Sequence, residues 1–372
     1  MAYTSYKDSK YYKPDAGVQT LKSWMNREGL DLPAYETPIT PKENFRRAIG
    51  RKDPIWLPIG MTDTQSIMVN DVALHEVRGM QIHANFGRVS EEEFQFRDWF
   101  NTDWTYVPAV GGSMLTPGTQ LMDDITKWET IIEWPDLTEW GFEEKAAKYM
   151  REEHDPRKAL KYNMGRGITE RLVSVMGGYT DSMIALATEP EATKEFFEKC
   201  ADFSIENFDA INALYPLDMV TLHDDWGTEK DTFFSEKMME ELVFEPTKRI
   251  IDHIKSKGVF FELHSCGNVT RFFQYMIDLG VDVLQLQRRA VDIPAMIAKY
   301  GNQIGYCAGV EGMEMGKQVS ADELCDYIRK SVDIYAPGGG SYINLYASDP
   351  EMAKAGVWEL YCYSRELYDQ ER

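Results

Sequence analysis

The residues best suited to chemistry are His264 and Cys266, which are separated by one serine at the end of a predicted strand. Residues i and i+2 of a strand point to the same face, so an imidazole and a thiolate can reach one ion together. Nitrogen and sulfur donors of this kind suit zinc, and an open fourth position would make the site catalytic. We predict Cys307, at a later strand end, as a further metal ligand. The alternative is a buried histidine bonded to a backbone carbonyl beside an unrelated core cysteine.

A second cluster, His223-Asp224-Asp225, follows another predicted strand. Two adjacent carboxylates beside an imidazole cannot all point the same way, so one of them is expected to face the pocket. Its predicted role is to bind metal, to orient His264 or to handle a proton for a leaving oxygen. All three residues are therefore catalytic candidates. The alternative for either aspartate is to cap the helix that follows.

Further side chains past the strand ends are candidates for contact with a substrate. Gln285 and Gln287 flank the metal candidates and could hydrogen-bond a substrate oxygen, or they could only satisfy loop backbone. Met164, Trp226 and Asn344 lie at or just past the ends of other predicted strands and complete this set. Aromatic residues make up 12% of the chain and would supply an apolar slot for a ring, although most aromatic residues of any barrel are core.

These residues share one edge because of the elements that carry them. From about residue 161 onward amphipathic helices alternate with strands predicted at Lys161–Met164, Leu217–Leu222, Val259–Leu263, Val281–Leu286, Gln303–Cys307 and Ser341–Leu345. Continuous apolar strands in this alternation indicate a parallel sheet that is covered on both faces. With a further strand at Ile55–Ile59 and one undetermined, they predict an α/β fold, a (β/α)8 TIM barrel with its active site at the carboxyl ends of the strands.

The N-terminal region is predicted to be an extension of this barrel. Residues 1–40 are of mixed polarity with a short helical stretch around Val18–Arg27, and the barrel domain is predicted over residues 41–372. Capping boxes are predicted at Thr40–Glu43 and at Ser320–Glu323, each at the start of a helix. Two domains, which the length alone suggests, are therefore not expected.

Composition restricts the partners. The 372 residues include 40 basic and 61 acidic side chains, for a net charge of −21. Without a basic stripe the chain is not expected to bind nucleic acid or an anionic membrane surface. It shows no membrane-spanning apolar run and no secretory signal, and its five widely spaced cysteines fit a reducing compartment. We expect a cytoplasmic protein, with which a homodimer is compatible.

Six segments between about residues 40 and 347 form a recognisable set, namely Asn44–Ile49, Pro54–Pro58, His223–Gly227, Phe261–Gly267, Asp278–Gln285 and Pro337–Ile343. Together they resemble the uroporphyrinogen decarboxylase superfamily, and more closely its corrinoid-dependent methyltransferase branch. True decarboxylases of this superfamily carry an arginine-containing motif, RQAGRYLPEY, where this chain has Lys52–Met61. A substrate with eight carboxylates needs cationic partners, so a chain of charge −21 without that motif is a poor candidate for it.

The resemblance also bears on the predicted metal. Thiol-methylating members of the branch bind zinc through His-X-Cys and a distant third cysteine near the final strand, and His264 and Cys266 match the first two. The segment Ile343–Ser348 contains no cysteine where the third is expected. Cys307 or an aspartate of the 224–225 pair is left to complete the site.

The length, the acidic N-terminal half and the segment Trp104–Met114 resemble the methyltransferase I components of bacterial O-demethylase systems. This resemblance implies an enzyme that takes methyl groups from methoxylated aromatic compounds and passes them to the Co(I) of a separate corrinoid protein, with zinc as Lewis acid. The chain has no Asp-X-His-X-X-Gly motif, which fits a cobalamin carried by a partner. The alternatives are a methylcobamide:thiol (coenzyme M-type) zinc methyltransferase, a uroporphyrinogen decarboxylase-like decarboxylase and a non-catalytic binding barrel.

Overall fold

A curled parallel sheet forms the centre of the computed structural model, which describes residues 3–23, 26–68, 96–98, 100, 102–107, 112–313, 319–345 and 349–370. The strands of this part of the chain are β1 (Val18–Ser23), β2 (Asn26–Pro33), β3 (Thr64–Met68), β4 (Phe96–Arg97), β5 (Asp103–Val107), β6 (Gly112–Leu115), β7 (Ala159–Arg166), β8 (Met219–His223), β9 (Phe260–Ser265), β10 (Val283–Leu286), β11 (Gly305–Gly309) and β12 (Tyr342–Asn344). Seven of them pair in parallel in the order β12-β11-β10-β9-β8-β7-β3, and β4, β5 and β6 form a small antiparallel sheet.

Helices follow most strands of the central sheet. In the described residues the α-helices are α1 (Pro41–Ile49), α2 (Gly60–Asp63), α3 (Trp128–Ile131), α4 (Phe142–Glu152), α5 (Ile168–Met176), α6 (Tyr179–Thr188), α7 (Pro190–Asn212), α8 (Glu236–Met238), α9 (Phe244–Ser256), α10 (Phe273–Asp278), α11 (Ile293–Tyr300), α12 (Ala321–Tyr335) and α13 (Pro350–Gln370). A π-helical turn at Met239–Val243 joins α8 to α9. None of the described helices combines the length and the apolar character needed to cross a membrane.

Ile59 brings the two edges of the central sheet together. It forms a parallel bridge with Ile343 of β12, and the Ile343 N–H donates to the Pro58 carbonyl at 2.9 Å. The chain then runs through α2 into β3, which is the opposite edge strand of the same sheet. Because the segment that pairs with one edge strand leads directly into the strand at the other edge, the sheet curls into a TIM-barrel-like α/β fold, as predicted.

The six strands predicted after residue 160 are confirmed, with ends that differ by at most two residues. The strand predicted at Ile55–Ile59 is wrong in extent, because only Ile59 joins the sheet. The side chain of Asn44 takes the place of a neighbouring strand. Its amide oxygen accepts the Ile55 N–H at 2.7 Å, and its amide nitrogen donates to the Trp56 carbonyl at 2.8 Å. These bonds satisfy buried backbone groups without a ladder.

The helix predicted around Val18–Arg27 is also wrong, since this region forms the hairpin β1–β2. The hairpin gains cross-strand bonds that a helix could not make. The Thr20 hydroxyl donates to Asp31 at 2.7 Å, and the Gln19 amide donates to the Pro33 carbonyl at 3.0 Å. Leu32 of β2 is fully buried in this extended register. The boundary between residues 1–40 and the barrel stays a prediction.

The two predicted capping boxes differ in the structure. At Ser320 the side-chain and backbone bonds with Glu323 are both present, so this box is confirmed. At Thr40 the hydroxyl accepts the Glu43 N–H at 3.1 Å, whereas the Glu43 carboxylate binds Arg47 at 2.8 Å. Thr40 is therefore an N-cap that lacks the reciprocal bond of a box.

Polar side chains from separate strands meet inside the barrel, below its carboxyl end. Glu262 of β9 is fully buried and accepts hydrogen bonds from the ammonium of Lys161 at 2.9 Å and the hydroxyl of Thr221 at 2.8 Å. The hydroxyl of Tyr342, from the far edge strand β12, donates to its second oxygen at 2.5 Å. Because β12 is not a neighbour of β9 in the sheet, this contact crosses the barrel interior and holds the two sides together.

Replacing Glu262 with leucine is expected to lower the free energy of unfolding by about 3–5 kcal/mol, because it leaves the Lys161 ammonium buried without its counter-ion. The double variant Lys161→Met/Glu262→Leu is expected to regain most of this loss, since it removes both charges. Urea unfolding followed by tryptophan fluorescence measures both values. If the double variant is no more stable than Glu262→Leu, the unpaired Lys161 ammonium is not the cause of the lost stability.

Candidate active site

Neighbouring strands place a row of functional side chains at the carboxyl end of the sheet. Arg166 of β7 lies in register with His223 of β8, and His223 with His264 of β9. His264 in turn lies in register with Gln285 of β10. Strand pairing therefore brings together residues that are more than a hundred positions apart in the sequence.

Asp225, His264 and Cys266 form a group whose ligand atoms all lie within 4.8 Å of one another. The His264 Nε2 is 3.4 Å from the Cys266 sulfur and 3.7 Å from the Asp225 Oδ1. Tetrahedral zinc with bond lengths of ~2.0–2.3 Å separates nitrogen and sulfur ligands by about 3.6 Å and nitrogen and oxygen ligands by about 3.4 Å. The spacing and the mixed donor set therefore fit one zinc ion.

Gln285 prepares His264 for this role. The Nδ1 of His264 lies 2.7 Å from the Gln285 Oε1, an oxygen that can only accept, so the ring proton is assigned to Nδ1. The Nε2 lone pair is then free on the side of Cys266 and Asp225. A hydrogen bond of this kind to the outer ring nitrogen is the usual way in which proteins orient a metal-ligating histidine.

Cys307, predicted as a metal ligand, lies outside the Asp225–His264–Cys266 group. Its buried sulfur accepts hydrogen bonds from the Gln285 amide at 3.3 Å and from the Asn344 amide at 3.2 Å. It therefore holds Gln285 in the orientation that presents an oxygen to His264. Burial raises the pKa of the Cys307 thiol to about 12, which fits a neutral hydrogen-bonding group.

Asp224 is buried, and both of its carboxylate oxygens accept hydrogen bonds from other residues of the protein. Its oxygens accept the Thr169 hydroxyl at 2.6 Å, the Glu170 N–H at 2.9 Å and the Trp226 indole N–H at 3.0 Å. Asp224 thus caps α5, the helix that precedes β8, whereas the alternative reading of the sequence had it capping the helix that follows. A β-carbon at Gly167 would lie 2.4 Å from this carboxyl group, so the close approach requires glycine there. Burial raises the pKa of Asp224 to about 6.

The loops after β8 and β9 pack directly on each other. Gly267 has a φ of +80°, and a β-carbon there would lie 2.0 Å from the Gly227 carbonyl oxygen. The Gln287 side chain, predicted to contact substrate, accepts the Gly267 N–H at 3.0 Å. The Cys266 N–H donates to Asp225 at 2.7 Å and so joins the two loops across the metal candidates.

His223 packs against the Asp225–His264–Cys266 group through the ring of His264. Its ring stacks on that of His264 with centroids 4.3 Å apart, and burial together with the neighbouring His264 holds its pKa well below the usual range. The Asn163 Oδ1 accepts the Gly165 N–H, so its amide nitrogen, 3.0 Å from the His223 Nε2, is the donor of that pair. His223 is therefore a neutral ring with its proton on Nδ1.

Two of the predicted substrate contacts lie inside the protein. Met164 is 2% exposed, and Trp226 is completely buried, with its backbone N–H donating to the Ser265 hydroxyl at 3.0 Å. The segment Trp104–Met114 forms parts of β5 and β6, and its residues 108–111 lie outside the described residues. Trp104 contributes to this end of the barrel, since the Arg166 guanidinium stacks on it 3.7 Å from the ring centroid.

Glu170, which sequence reasoning missed, lies in the first turn of α5 and is 3% exposed. One oxygen is 3.3 Å from the Arg166 guanidinium, and the other has no hydrogen-bond partner among the described residues. Burial, with Asp225 and Asp224 nearby, raises the pKa of Glu170 to about 8 in spite of Arg166. The signal in the sequence was an acidic residue in the helix turn directly after a strand end.

Tyr179 and Phe233 form an aromatic pair beside these acidic groups, and sequence reasoning missed this pair as well. The rings stack with centroids 4.3 Å apart and are both partly exposed. Glu170 and Asp225 both act electrostatically on the Tyr179 hydroxyl, whose pKa is raised chiefly by burial. The end of the barrel therefore combines a possible metal group with accessible aromatic surface.

The buried carboxyl group of Glu170 is expected to make stability depend on pH. Because its pKa is about 8 in the folded protein against an ordinary value of 4.5, the folded chain keeps a proton that the unfolded chain releases in this range. The contribution of Glu170 to the unfolding free energy therefore falls by a few kcal/mol as pH rises through this window. Glu170→Gln removes that decrease.

Denaturant unfolding of wild type and Glu170→Gln between about pH 5 and pH 9 measures the effect, and the variant should gain on the wild type as pH rises. Glu206→Gln, at an exposed position of α7, is the matched control and should stay parallel to the wild type. A constant difference between wild type and Glu170→Gln would contradict the expectation.

Comparison with known proteins places the barrel in a family. The family model of uroporphyrinogen decarboxylase (URO-D) matches residues 103–307. Among solved structures, a methyltransferase from Methanosarcina mazei shares the fold, with a TM-score of 0.57 and 12% identity over 87% of this chain and 98% of that chain. A D-psicose 3-epimerase is more distant, with a TM-score of 0.32 and 13% identity over 62% of this chain and 83% of that chain.

No curated protein sequence matches the chain. The URO-D match nevertheless extends over more than half of the length and includes β7, β8, β9 and β10, which carry the candidate site. The shared barrel topology agrees with it. The chain therefore belongs to the uroporphyrinogen decarboxylase (URO-D) family.

Proposed function

We propose that this protein is a corrinoid-dependent methyltransferase that takes a methyl group from a methoxylated aromatic compound and passes it to the Co(I) of a separate corrinoid protein. The observation that carries the proposal is the Asp225–His264–Cys266 group at the carboxyl end of a URO-D-family barrel. The similarity in fold to the methyltransferase from Methanosarcina mazei supports a transferase.

The first requirement of this reaction is to stabilise the leaving oxygen. As the O–CH3 bond breaks, negative charge develops on the oxygen of the aromatic ether. A zinc ion held by Asp225, His264 and Cys266 would supply a Lewis acid for that charge. Gln285 and the stacked ring of His223 keep His264 in place, so the protein contributes a fixed arrangement of groups around the reacting oxygen.

The second requirement is to hold the ring so that its methyl group faces the cobalt. The stacked pair of Tyr179 and Phe233 offers partly exposed aromatic faces close to the acidic groups of the site. Aromatic pairs favour offset stacking or edge contacts with a further ring. An uncharged methoxyarene suits this surface. The net charge of −21 does not repel it, whereas it would repel a polycarboxylate porphyrinogen.

The second candidate function is methyl transfer from methylcobamide to a thiol such as coenzyme M. The His264 and Cys266 pair favours it, because a zinc ion can lower the pKa of a bound thiol as well as bind an ether oxygen. The described residues, however, place a carboxylate and not a second thiolate beside this pair.

The purified protein, loaded with zinc and mixed with chemically reduced cob(I)alamin, is expected to convert guaiacol to catechol and to form methylcobalamin. The absorbance change of the cobalamin and chromatography of the phenol products measure the reaction. Coenzyme M and homocysteine with methylcobalamin form the control arm. Thiol methylation without any demethylation of methoxyarenes would favour the second candidate function and overturn the first.

The metal group is tested by zinc binding itself. The wild type is expected to bind one zinc ion per chain, and His264→Ala or Cys266→Ser should remove most of that affinity. Gln285→Ala is expected to weaken binding about 10–100-fold, because His264 loses the bond that orients its ring. Gln274→Ala, at an exposed position of α10, is the control. Competition with a chromogenic chelator measures all four, and full zinc binding by Cys266→Ser would contradict this assignment.

A further inference from the structure

We propose that Glu170 donates the proton that the leaving oxygen takes up during methyl transfer, an inference that rests on the proposed function. The segments that resemble the uroporphyrinogen decarboxylase superfamily do not include this residue. Its position follows from the fold, because the first turn of α5 lies directly after β7 at the carboxyl end of the barrel.

The geometry of the carboxyl group leaves one oxygen available to a ligand. The side chain of Glu170 is 4% exposed, and its Oε1 lies 3.3 Å from the Arg166 Nη1. Its Oε2 is buried and has no hydrogen-bond partner among the described residues. A buried polar atom without a partner costs free energy, and such atoms in folded proteins call for an explanation such as a bound group. A polar atom of the substrate would satisfy it.

The surroundings hold the proton on Glu170. The anionic groups that act on it are Asp224 and Asp225, and the cations that oppose them are Arg166 and Arg171. Burial is the largest effect and outweighs both guanidinium groups, so the pKa of the carboxyl group rises to about 8. Burial raises the pKa of the Cys266 thiol, and Asp225 and Glu170 add to this effect, so Glu170 lies within electrostatic reach of Cys266.

The two aspartates predicted to handle a proton are less suited to it. Both oxygens of Asp224 are engaged by the start of α5 and by Trp226. The Oδ1 of Asp225 accepts the Cys266 N–H and lies on the side of His264. Among these three carboxyl groups, only Glu170 has a buried oxygen without a hydrogen-bond partner among the described residues.

The proposed step is balanced. The electron pair of the Co(I) centre of the corrinoid protein forms the new Co–CH3 bond, and the electron pair of the O–CH3 bond moves to the oxygen. Glu170 transfers its proton to that oxygen, so that a neutral phenol leaves and a carboxylate remains. The carboxylate then takes a proton from solvent after the phenol has departed.

The test compares leaving groups in the zinc-loaded enzyme with cob(I)alamin as acceptor. Glu170→Gln keeps the size and polarity of the side chain and has no acidic proton. With guaiacol, whose phenolate is a poor leaving group, its kcat is expected to fall about 100-fold or more. With 4-nitroanisole, whose phenolate leaves without a proton, the fall should stay below about 10-fold. Glu170→Asp should keep the leaving-group dependence of the wild type at reduced kcat, and Glu206→Gln should leave both rates unchanged.

Three results would overturn the proposal in distinguishable ways. Equal losses for the two substrates would assign Glu170 a purely structural role while the proposed function stands. An unchanged kcat in Glu170→Gln would remove any role for its proton, also without touching the proposed function. No methyl transfer by the wild type from either ether would overturn the proposed function, and the proton donor with it.

Discussion

The carboxyl group of Asp224 is the constraint on which the arrangement of this site depends. It follows β8 but binds the first backbone N–H groups of α5, which follows β7, and it also binds the indole of Trp226. Two consecutive βα units are thereby fixed to each other at the carboxyl end of the barrel. Because the capped turn of α5 carries Glu170 and the residue after Asp224 is Asp225, this clamp brings the carboxyl groups of Glu170 and Asp225 within electrostatic reach of each other.

A second set of hydrogen bonds determines what the histidine of the site can do. The amides of Asn344 and Gln285 both point at the Cys307 sulfur, which leaves the oxygen of Gln285 for His264. Residues from three successive strands, β10, β11 and β12, therefore act on one imidazole of β9. The Cys307 sulfur, although a weak hydrogen-bond acceptor, thus orients the side-chain amide of Gln285, with the nitrogen toward Cys307 and the oxygen toward His264. This is why Cys307 belongs to the site although it does not join the group of metal candidates.

The pattern of residues along the chain predicted the barrel correctly because it reflects burial. Strands covered on both faces are largely apolar, and the helices between them are amphipathic, so the six later strands could be located to within two residues. Prediction failed where a tertiary contact replaced a local preference. The side chain of Asn44 satisfies the backbone around Ile55 in place of a strand, and cross-strand hydrogen bonds and the buried Leu32 stabilise the hairpin β1–β2.

The sequence by itself determined the fold class and which strand ends carry His264, Cys266 and Asp225, because these depend on short-range periodicity and on the active-site edge of a barrel. Only the tertiary structure decided that Asp225 and not Cys307 stands beside the histidine, since that choice depends on distances between side chains from different strands. The tertiary structure also revealed that Glu170 is buried, whereas in the sequence this residue looks like any acidic residue in the first turn of a helix. Burial raises the pKa of this carboxyl group to about 8, and burial exists only in the folded chain.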